Sequence, residues 1–187
     1  MITPNDFRPG LTIELDGRVL QVVSADHHKQ GRGDAVVRTK LRDVESGDTF
    51  QKTFRSNESI ERAHVERRDY QYLYSTGSAY VFMDTEDYEQ RELSRELLGD
   101  NVKWLKEGES VRLALYERKI IGIEVAKTVH RRVTQTDPGL RGDTAQGGTK
   151  PATIEGGTVV TVPLFVQTGD VIRVDTGTGE YVTRVDS

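Results

Sequence analysis

Residues 11–23 read Leu11-Thr12-Ile13-Glu14-Leu15-Asp16-Gly17-Arg18-Val19-Leu20-Gln21-Val22-Val23, and this stretch decides the fold class. Two runs rich in strand-forming residues flank the pair Asp16-Gly17. That pair is typical of a type I′ turn, because both central residues of such a turn need a positive φ. The stretch therefore predicts a tight β-hairpin.

Similar short runs continue outward from this hairpin along the chain. Eighteen glycines separate segments rich in Val, Ile, Thr, Tyr and Phe, a pattern typical of many short strands joined by turns. The further predicted strands are 35–42, 49–55, 70–74, 80–83, 88–93, 111–116, 120–125, 131–135, 158–162, 171–175 and 181–185. One short helix is predicted at 97–105, an exposed loop at 27–34, and a polar loop between 135 and 158. We therefore expect an all-β protein.

The predicted strands fall into three groups, which we assign to domains at 1–65, 66–128 and 129–187. The second group has five strands with the helix between the third and the fourth, the order of an OB-type barrel. In the first domain we expect a small barrel core that includes Val22, Leu41, Val44 and Phe54.

Composition excludes several classes of protein. The chain contains no cysteine, which rules out a disulfide framework, thiol catalysis and Cys-ligated metal sites, and agrees with a cytoplasmic location. It has no apolar run near the length that spans a bilayer and no N-terminal signal pattern, so no membrane association is expected. The net charge of −4 argues against nucleic-acid binding by a bulk positive field.

Positive charge nevertheless collects in one place. Residues 27–42 carry Lys29, Arg32, Arg38, Lys40 and Arg42, with Asp34 as the single acid. The glycines of Gly31-Arg32-Gly33 add no side-chain bulk, so Arg32 is suited to reach into a confined nucleic-acid crevice. A solvated arginine at a plain hairpin tip is the alternative, because exposed glycine-flanked loops are common.

Evidence for an enzyme is lacking. Two adjacent histidines on a strand point to opposite sides, so Asp26-His27-His28 is interpreted as surface rather than as a metal or acid–base site. The sequence contains no Walker or Rossmann phosphate loop and no Gly-x-Ser-x-Gly element. We therefore expect no catalytic residue, no metal and no cofactor.

Two further features admit a nucleic-acid role beside a structural one. The loop with Arg141, Gly142, Asp143 and Thr144 offers groups suited to a nucleic-acid backbone or base edges, or is a plain surface loop. A group of tyrosines offers base stacking, but alternate spacing in strands fits core packing equally well. That group consists of Tyr70, Tyr72, Tyr74 and Tyr80.

Residues 150–169 read Lys-Pro-Ala-Thr-Ile-Glu-Gly-Gly-Thr-Val-Val-Thr-Val-Pro-Leu-Phe-Val-Gln-Thr-Gly and resemble the C-terminal signature of bacterial elongation factor P. Other segments that resemble this family are 5–10, 72–74, 80–83, 136–144, 174–176 and 179–182, so the resemblance covers the whole chain. It implies an SH3-like (KOW-type) N-terminal barrel followed by two OB-fold barrels, in an L shape that mimics tRNA.

The resemblance also implies a function. A member of this family binds the 70S ribosome between the peptidyl-tRNA (P) and exit (E) sites, contacts P-site peptidyl-tRNA and ribosomal RNA, and stimulates peptide-bond formation where consecutive prolines stall synthesis. We expect it to act as a monomer in the cytoplasm, without enzymatic activity of its own.

Site residues follow from the same resemblance. Arg32 is the tip residue implied to reach the peptidyl-transferase centre and the tRNA CCA end, with Lys29, Gly31 and Gly33 in the supporting loop. The implied small-subunit and exit-site contact is formed by Arg141, Gly142, Asp143 and Thr144. Tyr181 and Arg184 are the implied C-terminal RNA contacts.

An arginine at the tip resembles the branch of the family in which a modifying enzyme adds rhamnose. Gly33-Asp34 follows Arg32 here, as in the lysine-bearing branch, so an unmodified Arg32 is the alternative. Gly142-Asp143-Thr144 favours the factor itself over its elongation-factor-P-like paralogue.

Two other functions stay open. An RNA-binding OB-fold protein acting outside the ribosome predicts a steep salt dependence of single-stranded RNA binding. A hydrolase using Asp26 and His27 predicts metal-dependent turnover.

Overall fold

The computed structural model describes residues 1–28, 31, 33, 35–139 and 147–186, and within these residues three five-stranded sheets form the fold. The first sheet has the order β4-β3-β2-β1-β5, with strands β1 (Thr12–Leu15), β2 (Arg18–His28), β3 (Val36–Asp43), β4 (Thr49–Arg55) and β5 (Glu61–Arg62). The second has the order β10-β9-β6-β7-β8, with strands β6 (Glu66–Ser75), β7 (Ala79–Asp84), β8 (Gln90–Ser94), β9 (Ser110–Tyr116) and β10 (Lys119–Glu124). The third has the order β13-β12-β11-β14-β15, with strands β11 (Thr128–Thr136), β12 (Thr149–Ile154), β13 (Val159–Pro163), β14 (Val171–Asp175) and β15 (Tyr181–Val185). The all-β prediction is confirmed.

The hairpin predicted from residues 11–23 is present with the expected turn. Asp16 and Gly17 have φ values of 51° and 74°, so both central residues are left-handed as a type I′ turn requires. Leu15 pairs with Arg18 directly across the turn.

The core of the first sheet contains most of the residues expected there. Val22, Leu41 and Phe54 are buried in one cluster with Ile13 and Leu20. Val44 is also buried, but in a second cluster with Val19, Ala63, Ala114 and Ile121, so its predicted place was wrong. The reason is strand alternation: the buried face of β3 carries Leu41 and Asp43, so the next residue, Val44, falls on the opposite face.

Two predicted loops contain strand residues. His27 and His28 belong to β2 and pair with Val37 and Val36, so the loop predicted at 27–34 begins later.

The polar loop predicted between 135 and 158 contains the whole of β12. A proline obscured this strand, because proline cannot donate to a ladder. Pro151 is tolerated since it pairs with Thr161 of β13, whereas the pairing of β12 with β11 runs from Ala152 to Ile154.

The helix predicted at 97–105 is broken. One α-helical turn, α1 (Arg95–Leu98), begins where Ser94 Oγ accepts a hydrogen bond from the Leu97 N–H at 3.3 Å. Gly99 ends it with a φ of 57°, and a 3₁₀ helix follows at Gly99–Trp104. A further 3₁₀ turn occupies Pro4–Asp6. None of the helices in the described part of the chain has the length and apolar character needed to cross a membrane.

The chain divides into two compact units, residues 1–67 with 114–122, and residues 68–113 with 123–187. The domain boundaries at 65/66 and 128/129 stay predictions. Within the second unit, the ring of Trp104 is buried in the core of the third sheet with Val133, Ile154 and Val166. The segment that follows α1 therefore supplies apolar surface to a sheet that is distant from it in sequence.

A buried arginine of β11 also joins the segment after α1 to the third sheet. Arg131 is 2% exposed, and its guanidinium binds both carboxylate oxygens of Glu109 at 2.8 and 2.9 Å. The same group donates to the carbonyl oxygens of Trp104 at 2.6 Å and His130 at 2.7 Å. Both terminal nitrogens of the guanidinium therefore have hydrogen-bond acceptors, as a buried charge requires.

An exposed ion pair lies in the same second unit. Lys106 Nζ is 2.8 Å from Glu155 Oε2, and this hydrogen bond is the main reason that the pKa of Glu155 lies below its ordinary value. The pair adds a second polar tie between the segment after the 3₁₀ helix and the third sheet.

Candidate nucleic-acid interface

The hairpin of β2 and β3 carries the predicted tip. The two strands pair from Leu20 with Asp43 to His28 with Val36, so the ladder extends to the last described residue before the tip. Gly31 and Gly33 are described and exposed. Lys29 and Arg32 lie outside the described residues, and their role stays a prediction.

Strand β4 supports this hairpin along its length. It pairs with β3 from Arg42 with Thr49 to Val36 with Arg55, which places β3 between two hydrogen-bonded neighbours. In β2 the register shifts between Val22 and Ser24, and such a bulge increases the local twist of the pair. The tip is therefore rooted on a three-stranded support.

The cations of β3 have different environments. Arg38 and Lys40 are exposed, whereas Arg42 is partly buried and donates to Gln21 Oε1 at 2.7 Å and to the Ile121 carbonyl oxygen at 3.1 Å. Arg42 is therefore occupied by contacts within the protein. Arg38 and Lys40 line a polar groove of about 360 Å³. Its other lining residues are Ser24, Asp26, Thr39, Gln51, Lys52 and Thr53.

Asp26, His27 and His28, the residues considered for a metal or acid–base site, are successive residues of β2. His27 and His28 are exposed neighbours on β2, in register with different residues of β3. Among the described residues, no three His, Asp or Glu side chains are grouped closely enough to hold a metal ion. Asp26 and His27 are adjacent on β2, and adjacent residues of a strand point to opposite faces of the sheet, so their side chains do not converge on one point.

The tyrosines separate into core and surface. Tyr70 and Tyr72 are buried, and the Tyr72 ring packs against Phe82 at 5.3 Å between centroids. Burial raises the pKa of both hydroxyls. Tyr80 is half-buried, and Tyr74 is 47% exposed. The packing interpretation therefore applies to Tyr70 and Tyr72, and Tyr74 alone stays open enough to stack on a ligand.

The loop predicted to contact the small subunit has a defined root. Arg141, Gly142, Asp143 and Thr144 lie outside the described residues. On one side of them, the buried Lys150 donates from Nζ to the Asp137 carbonyl oxygen, and the Thr136 N–H donates to Thr168 Oγ1 at 3.2 Å. Both contacts fix the backbone where the loop leaves β11.

Gly139 is required at this root by close packing, and we expect Gly139→Ala to destabilise the protein by about 1–3 kcal/mol. A Cβ at this position would lie 2.4 Å from the Leu164 carbonyl oxygen, a backbone atom that cannot move without shifting the turn after β13. Urea denaturation would measure the loss. Gly31→Ala is the matched control, since a Cβ there meets nothing within 4 Å; equal stability of the two variants would contradict the prediction.

The C-terminal candidates differ in exposure. Tyr181 is partly buried against the core of the third sheet, which gives it a structural role. Arg184 is 45% exposed in its side chain, and its guanidinium carbon lies 5.4 Å from the centroid of the Phe165 ring. Just before β15, the N–H groups of Thr178 and Gly177 hold the pKa of Asp175 below its ordinary value and fix the turn. Phe165 was not among the predicted site residues, because the sequence shows it only inside an apolar run.

Three protein-family models match the chain. Their descriptions are elongation factor P (EF-P) KOW-like domain for residues 3–60, elongation factor P (EF-P) OB domain for 65–123, and elongation factor P, C-terminal, for 129–184. Each match covers most of one of the three sheets described above, and β5 lies between the first two matches.

Curated relatives are similar over nearly the whole length. Elongation factor P of Coprothermobacter proteolyticus is 52% identical over 185 residues, which cover 99% of this chain and 100% of the relative. Elongation factor P of Moorella thermoacetica is 52% identical over 184 residues, covering 98% of this chain and 100% of the relative. Among solved structures, eukaryotic translation initiation factor 5A from Methanococcus jannaschii is 21% identical, with a TM-score of 0.42, and covers 65% of this chain and 94% of its own.

Proposed function

The chain belongs to the elongation factor P family of translation elongation factors, and on that premise we propose that it binds the 70S ribosome between the P and E sites. There it contacts the peptidyl-tRNA and ribosomal RNA and stimulates peptide-bond formation, relieving stalls at consecutive prolines. It acts in the cytoplasm as a monomer, without a catalytic residue, metal or cofactor of its own.

The observation that supports this proposal most directly is the supported hairpin of β2 and β3. Its paired strands carry the sequence Gly31-Arg32-Gly33 between them, with Arg38 and Lys40 exposed on β3. A rigid ladder that ends in a glycine-flanked cation suits delivery of one positive side chain to an RNA-lined crevice.

The mechanism follows from the chemistry of proline. Its ring fixes φ and its nitrogen is a secondary amine, so proline approaches the geometry of peptide-bond formation poorly. Orientation of reacting groups supplies up to roughly 7–11 kcal/mol of a rate enhancement, so a displaced peptidyl-tRNA end loses much of that advantage. In our proposal Arg32 contacts the backbone of the CCA end and lowers the entropic cost of holding it in place.

The charge distribution fits a factor that must also leave the ribosome. With a net charge of −4, most of the surface does not favour RNA, and the cations near the hairpin concentrate attraction at one end of the first sheet. In the same proposal, Arg141, Gly142, Asp143 and Thr144 contact the small subunit near the exit-site codon. Tyr181 and Arg184 contact RNA at the C-terminal end, with the partly buried Tyr181 acting chiefly to fix β15.

Ribosome co-sedimentation combined with a Pro-Pro-Pro translation reporter tests the proposal. We expect the protein to pellet with 70S ribosomes and to raise the yield of the reporter, while a matched reporter without prolines stays unchanged. Binding to free single-stranded RNA with a steep salt slope, but not to ribosomes, would instead indicate an RNA-binding protein that acts elsewhere. Ribosome binding without any effect on the proline reporter would favour the paralogue.

Covalent modification of Arg32 is a separate proposal, based on the arginine at the tip. We expect intact-mass spectrometry of the protein from its native host to show the added mass of one rhamnose, and peptide mapping to place it on Arg32. The recombinant protein made without the modifying enzyme is the control. An unmodified mass from the native host would establish the alternative, in which the guanidinium itself contacts the tRNA.

A further inference from the structure

An exposed aromatic ring lies in the turn between β13 and β14. The Phe165 side chain is 57% exposed, although the next residue, Val166, is fully buried in the core of the third sheet. An exposed phenylalanine forgoes the favourable free energy of burial. The turn therefore exposes the Phe165 ring to solvent and buries the Val166 side chain.

The backbone of this turn is fixed by three hydrogen bonds. The Val166 N–H donates to the Pro163 carbonyl oxygen at 3.2 Å, and the Asp170 N–H donates to the Gln167 carbonyl oxygen at 3.1 Å. The Gln167 N–H donates to Asp170 Oδ2 at 2.9 Å. The ring of Phe165 is consequently carried on a closed turn.

Asp170 also connects the turn to β15. The same oxygen that binds the Gln167 N–H lies 3.8 Å from Nη1 of Arg184, and the Arg184 guanidinium carbon is 5.4 Å from the Phe165 ring centroid. One carboxylate thus accepts a hydrogen bond that fixes the turn and also lies within ion-pair distance of the arginine. The electrostatic attraction favours a position of Arg184 beside the ring before any ligand arrives, which lowers the entropy lost on binding.

The charges near this turn favour an anionic partner. Two arginines approach it: Arg132 donates from Nη1 to the Gly169 carbonyl oxygen at 2.9 Å, and Nη1 of Arg184 lies 3.8 Å from the Asp170 carboxylate. The separation of 3.8 Å between Asp170 and Arg184 exceeds a hydrogen bond, so the arginine keeps donors free for a further acceptor.

We propose that Phe165 and Arg184 form a stacking platform for one unpaired nucleobase of RNA, an inference that rests on the proposed function because that function brings the chain to an RNA surface. Aromatic rings and guanidinium planes both stack on bases, largely regardless of base identity, and the arginine also attracts the neighbouring phosphate. Leu164, next to Phe165, packs against Gly139 at the root of the loop assigned to small-subunit contact, so the platform adjoins that contact.

Nuclear magnetic resonance of the full chain tests the platform, with the trinucleotide ApApA as the probe. We expect ApApA to shift the Phe165 ring and Arg184 Nε–H resonances, and an abasic trinucleotide of equal charge to leave the Phe165 ring unchanged. Phe165→Leu should weaken ApApA binding about tenfold by removing the aromatic face, and Phe165→Trp should restore it. Tyr88→Leu removes an exposed aromatic from the turn between β7 and β8 and should leave affinity unchanged.

Several results would overturn the inference. Equal shifts with the abasic probe would show phosphate binding alone, and full affinity in Phe165→Leu would show that the ring does not stack. Resonance shifts produced by an apolar peptide but not by ApApA would assign the surface to a protein partner. Unperturbed amide spectra in the free variants are needed to establish that each one folds.

The wild-type proline reporter separates this inference from the proposed function. Reporter rescue without ApApA shifts would overturn the platform alone. ApApA shifts without ribosome binding would overturn the proposed function and leave the platform as a general RNA site.

Discussion

Replacing Arg32 by alanine should reduce rescue of a Pro-Pro-Pro reporter to the level seen without the factor. The physical reason is that the tip contributes a single cation at the place where the peptidyl-tRNA end is proposed to be held, and no other side chain of Gly31-Arg32-Gly33 can replace it. Affinity for the ribosome should fall by about tenfold or less, the equivalent of roughly 1.4 kcal/mol, because the other proposed contacts remain. Quantitative co-sedimentation and the reporter yield measure the two effects separately.

Arg38→Ala is the matched control for this experiment. It removes an exposed cation from β3, in the ladder that supports the tip, without changing the tip itself. We expect weaker ribosome binding with a lower salt dependence, and a reporter yield that recovers at higher protein concentration. If Arg32→Ala were to recover in the same way, Arg32 would act as one more backbone contact and its proposed positioning role would be wrong.

The largest loss of stability is expected for Arg131→Ala, at about 3–5 kcal/mol. The substitution leaves the Trp104 and His130 carbonyl oxygens without this donor and creates a cavity at a side chain that is 2% exposed. Trp104 is the single tryptophan of the chain and is itself in the contact. Urea denaturation followed by tryptophan fluorescence therefore reports directly on the contact between Arg131 and Trp104.

Arg132→Ala provides the matched control, because Arg132 is the next residue and its side chain makes an exposed hydrogen bond to the Gly169 carbonyl oxygen. Its expected effect is below about 1 kcal/mol. Glu109→Ala should fall between the two, since it leaves a buried cation unpaired but the Glu109 side chain is 44% exposed and water can partly replace it. Equal urea midpoints for Arg131→Ala and Arg132→Ala would show that the buried contact adds no stability.

Local sequence determined the secondary structure wherever one strong signal acted alone. Asp16-Gly17 specified its turn because only a few residues accept two successive positive φ values. The strands of β3, β4, β14 and β15 were predicted nearly to the residue, because glycines and polar turns delimit them. The assignment of Arg32 as the tip residue rests on its two flanking glycines and the family resemblance, and it stays a prediction.

The sequence was misleading where a local signal opposed the tertiary environment. Pro151 suggested a loop, yet β12 forms because its pairing with β11 begins at Ala152, so that pairing does not need the N–H that proline lacks. A helix was expected to continue to Trp104, but Gly99 interrupts it and the 3₁₀ segment carries the indole into another core. In both places the partner that decides the outcome is remote in sequence.

The amino-acid sequence alone was enough to predict an all-β member of the elongation factor P family with one glycine-flanked cation, Arg32. The tertiary structure was needed to tell which arginines are held inside the protein. Arg42 and Arg131 are held by contacts with residues that are distant in sequence, while Arg38 and Arg184 remain exposed. The tertiary structure also brought Phe165 to Arg184 through the carboxylate of Asp170. The exposure of each arginine and the position of Phe165 depend on burial and on contacts between residues that are distant in sequence. The local pattern of residue types contains no information about either.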